Sequence, residues 1–212
     1  MKLQKSIVLT SLVIAFMALI AFPILAHAQE AAPTVGTTLE NLMAAYNGES
    51  NANARYLAFA KKADEEGYGK VANLFRAAAR AEQVHFERHA IVIKELGGQA
   101  KATIETPVVK STKENLESAL AGETYESTQM YPAFLAKAES DKSMNAVDAF
   151  EDAKMAEEVH AGWYKKALSE LDNWKTKTEF MVCPKCGNVV DIIPGPNCPI
   201  CKEDTRLFIP VY

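Results

Sequence analysis

AEQVH at residues 81–85 and AEEVH at residues 156–160 decide the reading of this chain. Each is a Glu-x-x-His motif inside a long run of helical periodicity, and residues three apart share a helix face. Glu82 and His85 can therefore reach one point together, as can Glu157 and His160. Both pairs lie on apolar stripes. On the first of these helices the stripe runs Val71, Phe75, Ala78, Glu82, His85, His89, Val92, Leu96, and on the second Val147, Phe150, Ala153, Glu157, His160, Tyr164, Leu168, Leu171. A lone carboxylate on a buried face is costly, so positive charge is expected among them.

Two further helical patterns carry the same anomaly. One runs from about residue 38 to 66, with Leu42, Tyr46, Glu49, Asn53, Tyr56, Ala60 and Ala63 on one face. The other follows Ser111, with Leu116, Ala119, Glu123, Glu126, Met130 and Ala133 or Phe134 on one face. Gly48-Glu49 recurs as Gly122-Glu123 at an offset of 74 residues, and the Glu-x-x-His motifs recur at 75. The chain is thus two helical hairpins related by an internal repeat. A Glu from each of two helices with Glu-x-x-His from each of the other two is a di-iron carboxylate pattern of four-helix bundles.

The connections agree. Gly67-Tyr68-Gly69 breaks the first helix from the second, which runs from about 70 to 96 and stops at Gly97-Gly98. A long connection to Ser111 then has room to cross the bundle. Ser111 and Glu114 have the spacing of a capping box. Pro132 lies inside the third pattern and should kink that helix or force a local repair. Asp141-Lys142-Ser143 makes a short turn into the last helix.

The candidate metal ligands are Glu49, Glu82, His85, Glu123, Glu126, Glu157 and His160. Carboxylate oxygen with imidazole nitrogen suits iron, manganese or zinc. Five carboxylates against two divalent cations leave about one negative charge, so two metals balance the cluster better than one. Glu126 taken alone could be a surface residue at the stripe edge. His89, one turn past His85, reads as a core histidine or a donor to a ligand. Tyr56 and Tyr131 lie two turns from Glu49 and Glu123. They are placed either for hydrogen bonds to ligands or bound peroxide, or for simple core packing.

From Phe180 the helical period gives way to cysteine, proline, glycine and β-branched residues, after a polar linker over 173–179. Cys183-Pro184-Lys185-Cys186 and Cys198-Pro199-Ile200-Cys201 are two C-x-x-C knuckles, which aim four thiolates at one tetrahedral site for zinc or a single iron. Two disulfides are the third reading.

Residues 1–28 read as an export signal: Lys2 and Lys5, an apolar run from Ile7 to Leu25, then Ala26-His27-Ala28. An uncleaved anchor over residues 7–25 is the alternative. Removing residues 1–28 of the 212 takes two lysines and no acid, leaving 21 basic and 27 acidic residues, a net charge of −6. No basic patch stands out, which argues against nucleic acid as a partner. Residues 29–37 are a flexible lead, 38–172 the bundle and 180–212 a separate small module.

Together these residues resemble the rubrerythrin family over about residues 38–212. The motifs are Gly48-Glu49-Ser50, Glu82-x-x-His85, Gly122-Glu123-x-x-Glu126, Met130-Tyr131-Pro132, Glu157-Glu158-x-His160 and the two knuckles. The resemblance implies a mainly α protein: a ferritin-like antiparallel four-helix bundle followed by a rubredoxin-like domain. It implies a peroxidase reducing hydrogen peroxide to water. Glu49, Glu82, Glu123, Glu126, Glu157 and His160 then hold a di-iron centre, and His85 replaces the Glu126 ligand in the reduced state. Cys183, Cys186, Cys198 and Cys201 hold one iron. Tyr56 and Tyr131 lie near the centre with a catalytic role. It also implies a head-to-tail homodimer that brings one subunit's cysteine module near the other's di-iron site. The export signal departs from a family found mostly in the cytoplasm and leaves the electron-donor protein open, with a periplasmic cytochrome as a candidate. A ferroxidase or iron-binding protein with a structural zinc in the cysteine module is the rival reading.

Overall fold

The computed structural model describes residues 33–212. The expected export signal lies outside these residues. Among the described residues there are four long helical stretches: α1 (Thr38–Glu65), α2 (Gly69–Glu95), α3 (Thr112–Tyr125) continuing into α4 (Tyr131–Ser140), and α5 (Met144–Ser169). Among the described residues no helix is long and apolar enough to cross a membrane.

Local chemistry sets the ends. Thr37 with Glu40, and Ser111 with Glu114, form complete capping boxes at the starts of α1 and α3. Gly67 and Gly97 close α1 and α2 in the left-handed region, both at φ 80°, where a Cβ would be strained. The turn between α4 and α5 closes the same way with Lys142 at φ 56°. Leu96, expected on the buried stripe, is instead 42% exposed, because the helix ends at Glu95 and the chain turns there. Leu171 also leaves its expected helix, which stops at Ser169, and sits in a 3-10 turn.

The third stretch is not one regular helix. Residues Glu126–Met130 form a π segment, closed by the Tyr131 N–H on the Glu126 carbonyl. Pro132 has no N–H, and in a regular helix its ring would press on the carbonyl four residues back. The widened turn is the local repair expected from the sequence.

α1 packs along α2, and α3 with α4 packs along α5. The crossover between the hairpins is pinned to α1. Asn47 Oδ1 accepts from the Thr103 N–H at 2.9 Å, and Asn51 bonds the Thr103 carbonyl and the Glu105 N–H at 2.9 and 2.8 Å. Two apolar clusters fill the bundle. Phe59, Phe75, Tyr56 and Tyr164 belong to one, and Leu42, Phe134, Phe150 and Ile93 to the other. Each helical stretch passes from one cluster to the other at a buried carboxylate, so the acidic layer divides the core.

The C-terminal module is a three-stranded antiparallel sheet, β1 (Phe180–Val182) between β2 (Val189–Val190) and β3 (Ile209–Val211). The stretch before it is held down rather than free. Trp174 is buried, and its carbonyl accepts the Lys70 N–H at 3.1 Å, while the Lys175 carbonyl accepts the Gly69 N–H at 3.0 Å. Asn73 Nδ2 donates to the Thr178 carbonyl at 2.9 Å. The polar composition of 173–179 suggests a tether, but the start of α2 offers unpaired N–H groups that bind its carbonyls.

Candidate metal centre

The helices bring six of the seven expected bundle ligands into one buried cluster. Glu49, Glu82, His85 and Glu157 have ligand atoms within 4.8 Å of one another, and so do Glu82, Glu123, Glu157 and His160. Glu82 and Glu157 are common to both groups, which is the arrangement of two adjacent cation positions with shared carboxylates. All six residues are at most 2% exposed.

Glu126 belongs to neither group. It opens the π segment and is half-buried. His85 is in the first group instead, its Nδ1 2.8 Å from Glu157 Oε1 and 2.9 Å from Glu82 Oε2. Of the two candidates for that position, the imidazole is turned in.

The two imidazoles test whether metal fits. His85 Nε2–H donates to the Cys186 carbonyl at 3.0 Å, and His160 Nε2–H donates to the Gly187 carbonyl at 3.1 Å. In the neutral form, Nδ1 of each ring is then a bare lone pair facing carboxylate oxygens, with His160 Nδ1 2.7 Å from Glu157 Oε2. Lone pairs at that distance repel unless a cation or proton lies between them. Glu49 Oε2, Glu82 Oε1 and Glu123 Oε2 are buried without a hydrogen-bond partner. Unpartnered buried oxygens next to imidazole nitrogens are the donor set of a transition-metal pair.

The electrostatics of the metal-free chain point the same way. Burial and the neighbouring carboxylates push Glu49, Glu123 and Glu126 well above the usual carboxylate range, and Glu82 upward. Burial would depress both histidines, but Glu157 and Glu82 outweigh it and raise them. Burial would raise Glu157, yet His85 and His160 on either side hold it down. Without metal the cluster must take up protons.

Both tyrosines face ligand groups. Tyr56 donates to Glu123 Oε1 at 2.5 Å, and Tyr131 donates to Glu49 Oε1. The packing-only reading is thus replaced by direct hydrogen bonds. His89 bonds Tyr131 through Nε2.

In the C-terminal module the four cysteines are free thiols whose sulfurs lie within 4.8 Å of one another. The nearest pairs are Cys183–Cys201 at 3.5 Å and Cys186–Cys198 at 3.6 Å, far beyond a disulfide's ~2.05 Å. The tetrahedral single-ion reading fits, and the disulfide reading does not.

Sequence reasoning missed how this module meets the bundle. Besides the two histidine bonds, Trp163 Nε1 donates to the Val189 carbonyl at 2.9 Å and Arg88 to the Lys185 carbonyl at 3.3 Å. Gly187 makes the approach possible: it has φ 75°, and a Cβ there would overlap His85 Nε2. The proximity that the resemblance implies between two subunits is present here within one chain. Gly187 follows the knuckle directly, but nothing local in the sequence says which surface it meets.

A four-helix bundle whose facing helices supply paired carboxylates and Glu-x-x-His motifs defines the ferritin-like di-iron carboxylate proteins, here with a four-cysteine module appended. The Rubrerythrin family model matches residues 40–168. Nigerythrin from Nitratidesulfovibrio vulgaris is 42% identical over 175 residues, covering 82% of this chain and 86% of its own. Rubrerythrin from Porphyromonas gingivalis is 33% identical over 181 residues, covering 82% and 90%. A structure of nigerythrin in its fully reduced, all-ferrous state superposes with a TM-score of 0.81 at 40% identity, over 87% of this chain and 91% of that one. The chain belongs to the rubrerythrin family. Its cofactors are accordingly a di-iron site in the bundle and a single iron or zinc in the four-cysteine site.

Proposed function

We propose that this protein is a peroxidase that reduces hydrogen peroxide to water. The overall change is H2O2 with two electrons and two protons giving two waters. The di-iron centre would supply the two electrons when bound, and an iron in the cysteine site would return them singly. Glu49, Glu82, His85, Glu123, Glu157 and His160 would hold the pair, with Glu126 exchanging against His85. Cys183, Cys186, Cys198 and Cys201 would hold the single iron.

The observation that carries this reading is the pair of hydrogen bonds from His85 and His160 to the Cys186 and Gly187 carbonyls. A module that only stabilised the fold has no need to reach both imidazoles of the buried cluster. Electrons leaving the Cys186 sulfur would cross its own residue and one hydrogen bond to His85. The acidic cluster excludes bulk water, and the tyrosine hydroxyls hold their protons against Glu49 and Glu123. Burial keeps both phenols well above their usual range, so they act as hydrogen-bond donors at neutral pH.

In the same reading residues 1–28 direct export, the protein works as a homodimer in the periplasm, and its electrons come from a donor protein there. A periplasmic cytochrome is the donor class this location offers.

The test is a visible titration. The purified protein is reduced without air, and hydrogen peroxide is added stepwise. Prompt return of the ferric-thiolate absorption is expected. Absence of that band in both redox states would mean that the cysteine site holds no redox-active iron and would move the assignment to a ferroxidase or iron-binding protein, with the metal then to be identified.

A further inference from the structure

The internal repeat extends beyond the ligands. At an offset of 75 residues, Tyr56 corresponds to Tyr131 and His89 to Tyr164. Tyr56 reaches across to Glu123 of the other hairpin, and Tyr131 reaches back to Glu49. What stands behind each tyrosine differs. Behind Tyr56 is the ring of Tyr164, with centroids 5.8 Å apart. Behind Tyr131 is His89, whose Nε2 lies 3.1 Å from the hydroxyl oxygen.

With Glu49 ionised as a metal ligand, and so carrying no hydrogen of its own, hydrogen counting fixes the direction of that bond. Tyr131 has one hydroxyl hydrogen, and it is on Glu49. The Tyr131 oxygen must therefore accept, and His89 Nε2–H must donate. His89 Nδ1 is then bare, and it is buried with no hydrogen-bond partner. Burial, with His85 and Arg88 nearby, holds His89 down to about 3, so the ring is neutral at physiological pH. Phe150 and Tyr131 pack against it, with ring centroids 5.5 and 6.1 Å away.

We propose that His89 is a positioning residue: its hydrogen bond commits the Tyr131 hydrogen to Glu49 Oε1, which leaves Glu49 one oxygen, Oε2, for the metal position it shares with His85. A phenol that accepts a hydrogen bond is a stronger donor, so the chain His89–Tyr131–Glu49 acts as a unit. The other half of the repeat carries Tyr164 at the corresponding place, whose hydroxyl has no hydrogen-bond partner, so an imidazole donor stands behind only one of the two tyrosines. The free Oε2 of Glu49 is buried without a partner. This inference rests on the dinuclear-metal reading of the site, but not on peroxide turnover.

The experiment uses the full chain stripped of metal and titrated with cobalt(II), whose absorption reports geometry. Cobalt in the cysteine site gives separate thiolate bands, which serve as an internal control. Substituting His89→Leu should weaken one of the two bundle equivalents about tenfold, the usual scale for a lost partner of a ligand. The second equivalent and the thiolate bands should not change. His89→Gln, which keeps a donor near the Nε2 position, should recover most of the loss. In a Tyr131→Phe background, His89→Leu should cost nothing further. Equal losses for Leu and Gln, additive losses in the double variant, or no change in either equivalent would overturn the proposal. If His89→Leu does not fold, His89→Gln in the Tyr131→Phe background decides the matter, and any loss of affinity there overturns it. Peroxide plays no part in this readout, so a failed peroxidase assay and a failed role for His89 give different results.

Discussion

The carbonyl of Cys186 accepts a hydrogen bond from His85 Nε2 at 3.0 Å, joining the cysteine module to the buried acidic cluster within one chain. The contact depends on the absence of a side chain at Gly187. Gly187→Ala would force the module off His85 and strain a residue at φ 75°. On the proposed electron route, reduction of the bundle metals by an iron in the cysteine site should slow at least tenfold, an effect of about 1.4 kcal/mol on that barrier. Oxidation of an already reduced bundle by peroxide should keep its rate. Stopped-flow absorbance at the ferric-thiolate band separates the two. Equal rates of internal transfer in the variant and the parent would remove this contact from the electron route.

His85 is turned into the buried cluster, and Glu126 lies outside both ligand groups. His85→Ala and Glu126→Ala should each lower peroxide turnover by about tenfold to a hundredfold, as loss of a metal ligand or its partner does. Undiminished turnover in both variants, followed by peroxide consumption, would count heavily against the peroxidase assignment.

The metal-free protein should lose stability as pH rises above about 6.5, the ordinary histidine value. Glu49, Glu123 and Glu126 have folded-state values raised by burial and by one another, and His85 and His160 are raised by Glu157. A raised group stabilises the fold below its unfolded value and loses that contribution as pH rises through its folded value. His89 has the opposite sign, since it is held down to about 3, but its contribution is complete above the unfolded histidine value. Glu157, held low, contributes constantly in that window. Thermal unfolding with and without added metal checks this: the metal-free melting temperature should fall as pH rises beyond the ordinary histidine value, and the metal-bound one should fall less.

Trp174 anchors the chain between bundle and module. It is buried, its carbonyl takes the Lys70 N–H, and the Lys70 ammonium lies 4.7 Å from its ring centroid. Trp174→Ala should cost about 3–5 kcal/mol, the range for a buried large-to-small change. Cleavage within residues 175–179 during limited proteolysis should rise sharply. A variant as resistant as the parent would mean that the strand contacts alone hold the module.

The four helices, the ligand types and the cysteine knuckles are all legible in the sequence, because each is a local pattern. A carboxylate on an apolar stripe is anomalous wherever the helix packs, and a C-x-x-C knuckle needs only its own turn to aim two sulfurs. The 74- and 75-residue offsets also place the hairpins in register without any knowledge of their contacts. The capping boxes at Thr37 and Ser111 and the disturbance at Pro132 are likewise effects within a few residues.

Tertiary structure alone decided the rest. Whether Tyr131 bonds a ligand or only fills space depends on Glu49, 82 residues away on another helix. His85 lies in the cluster with its Nε2 on the Cys186 carbonyl, 101 residues away, while Glu126 opens the π segment outside both ligand groups. The polar run after α5 has the composition of a tether because its partners, the free N–H groups of Gly69 and Lys70, lie at the far end of another helix. Helical period and ligand spacing are written over three to seven residues. The direction of a hydrogen bond between helices is set only when packing brings donor and acceptor together.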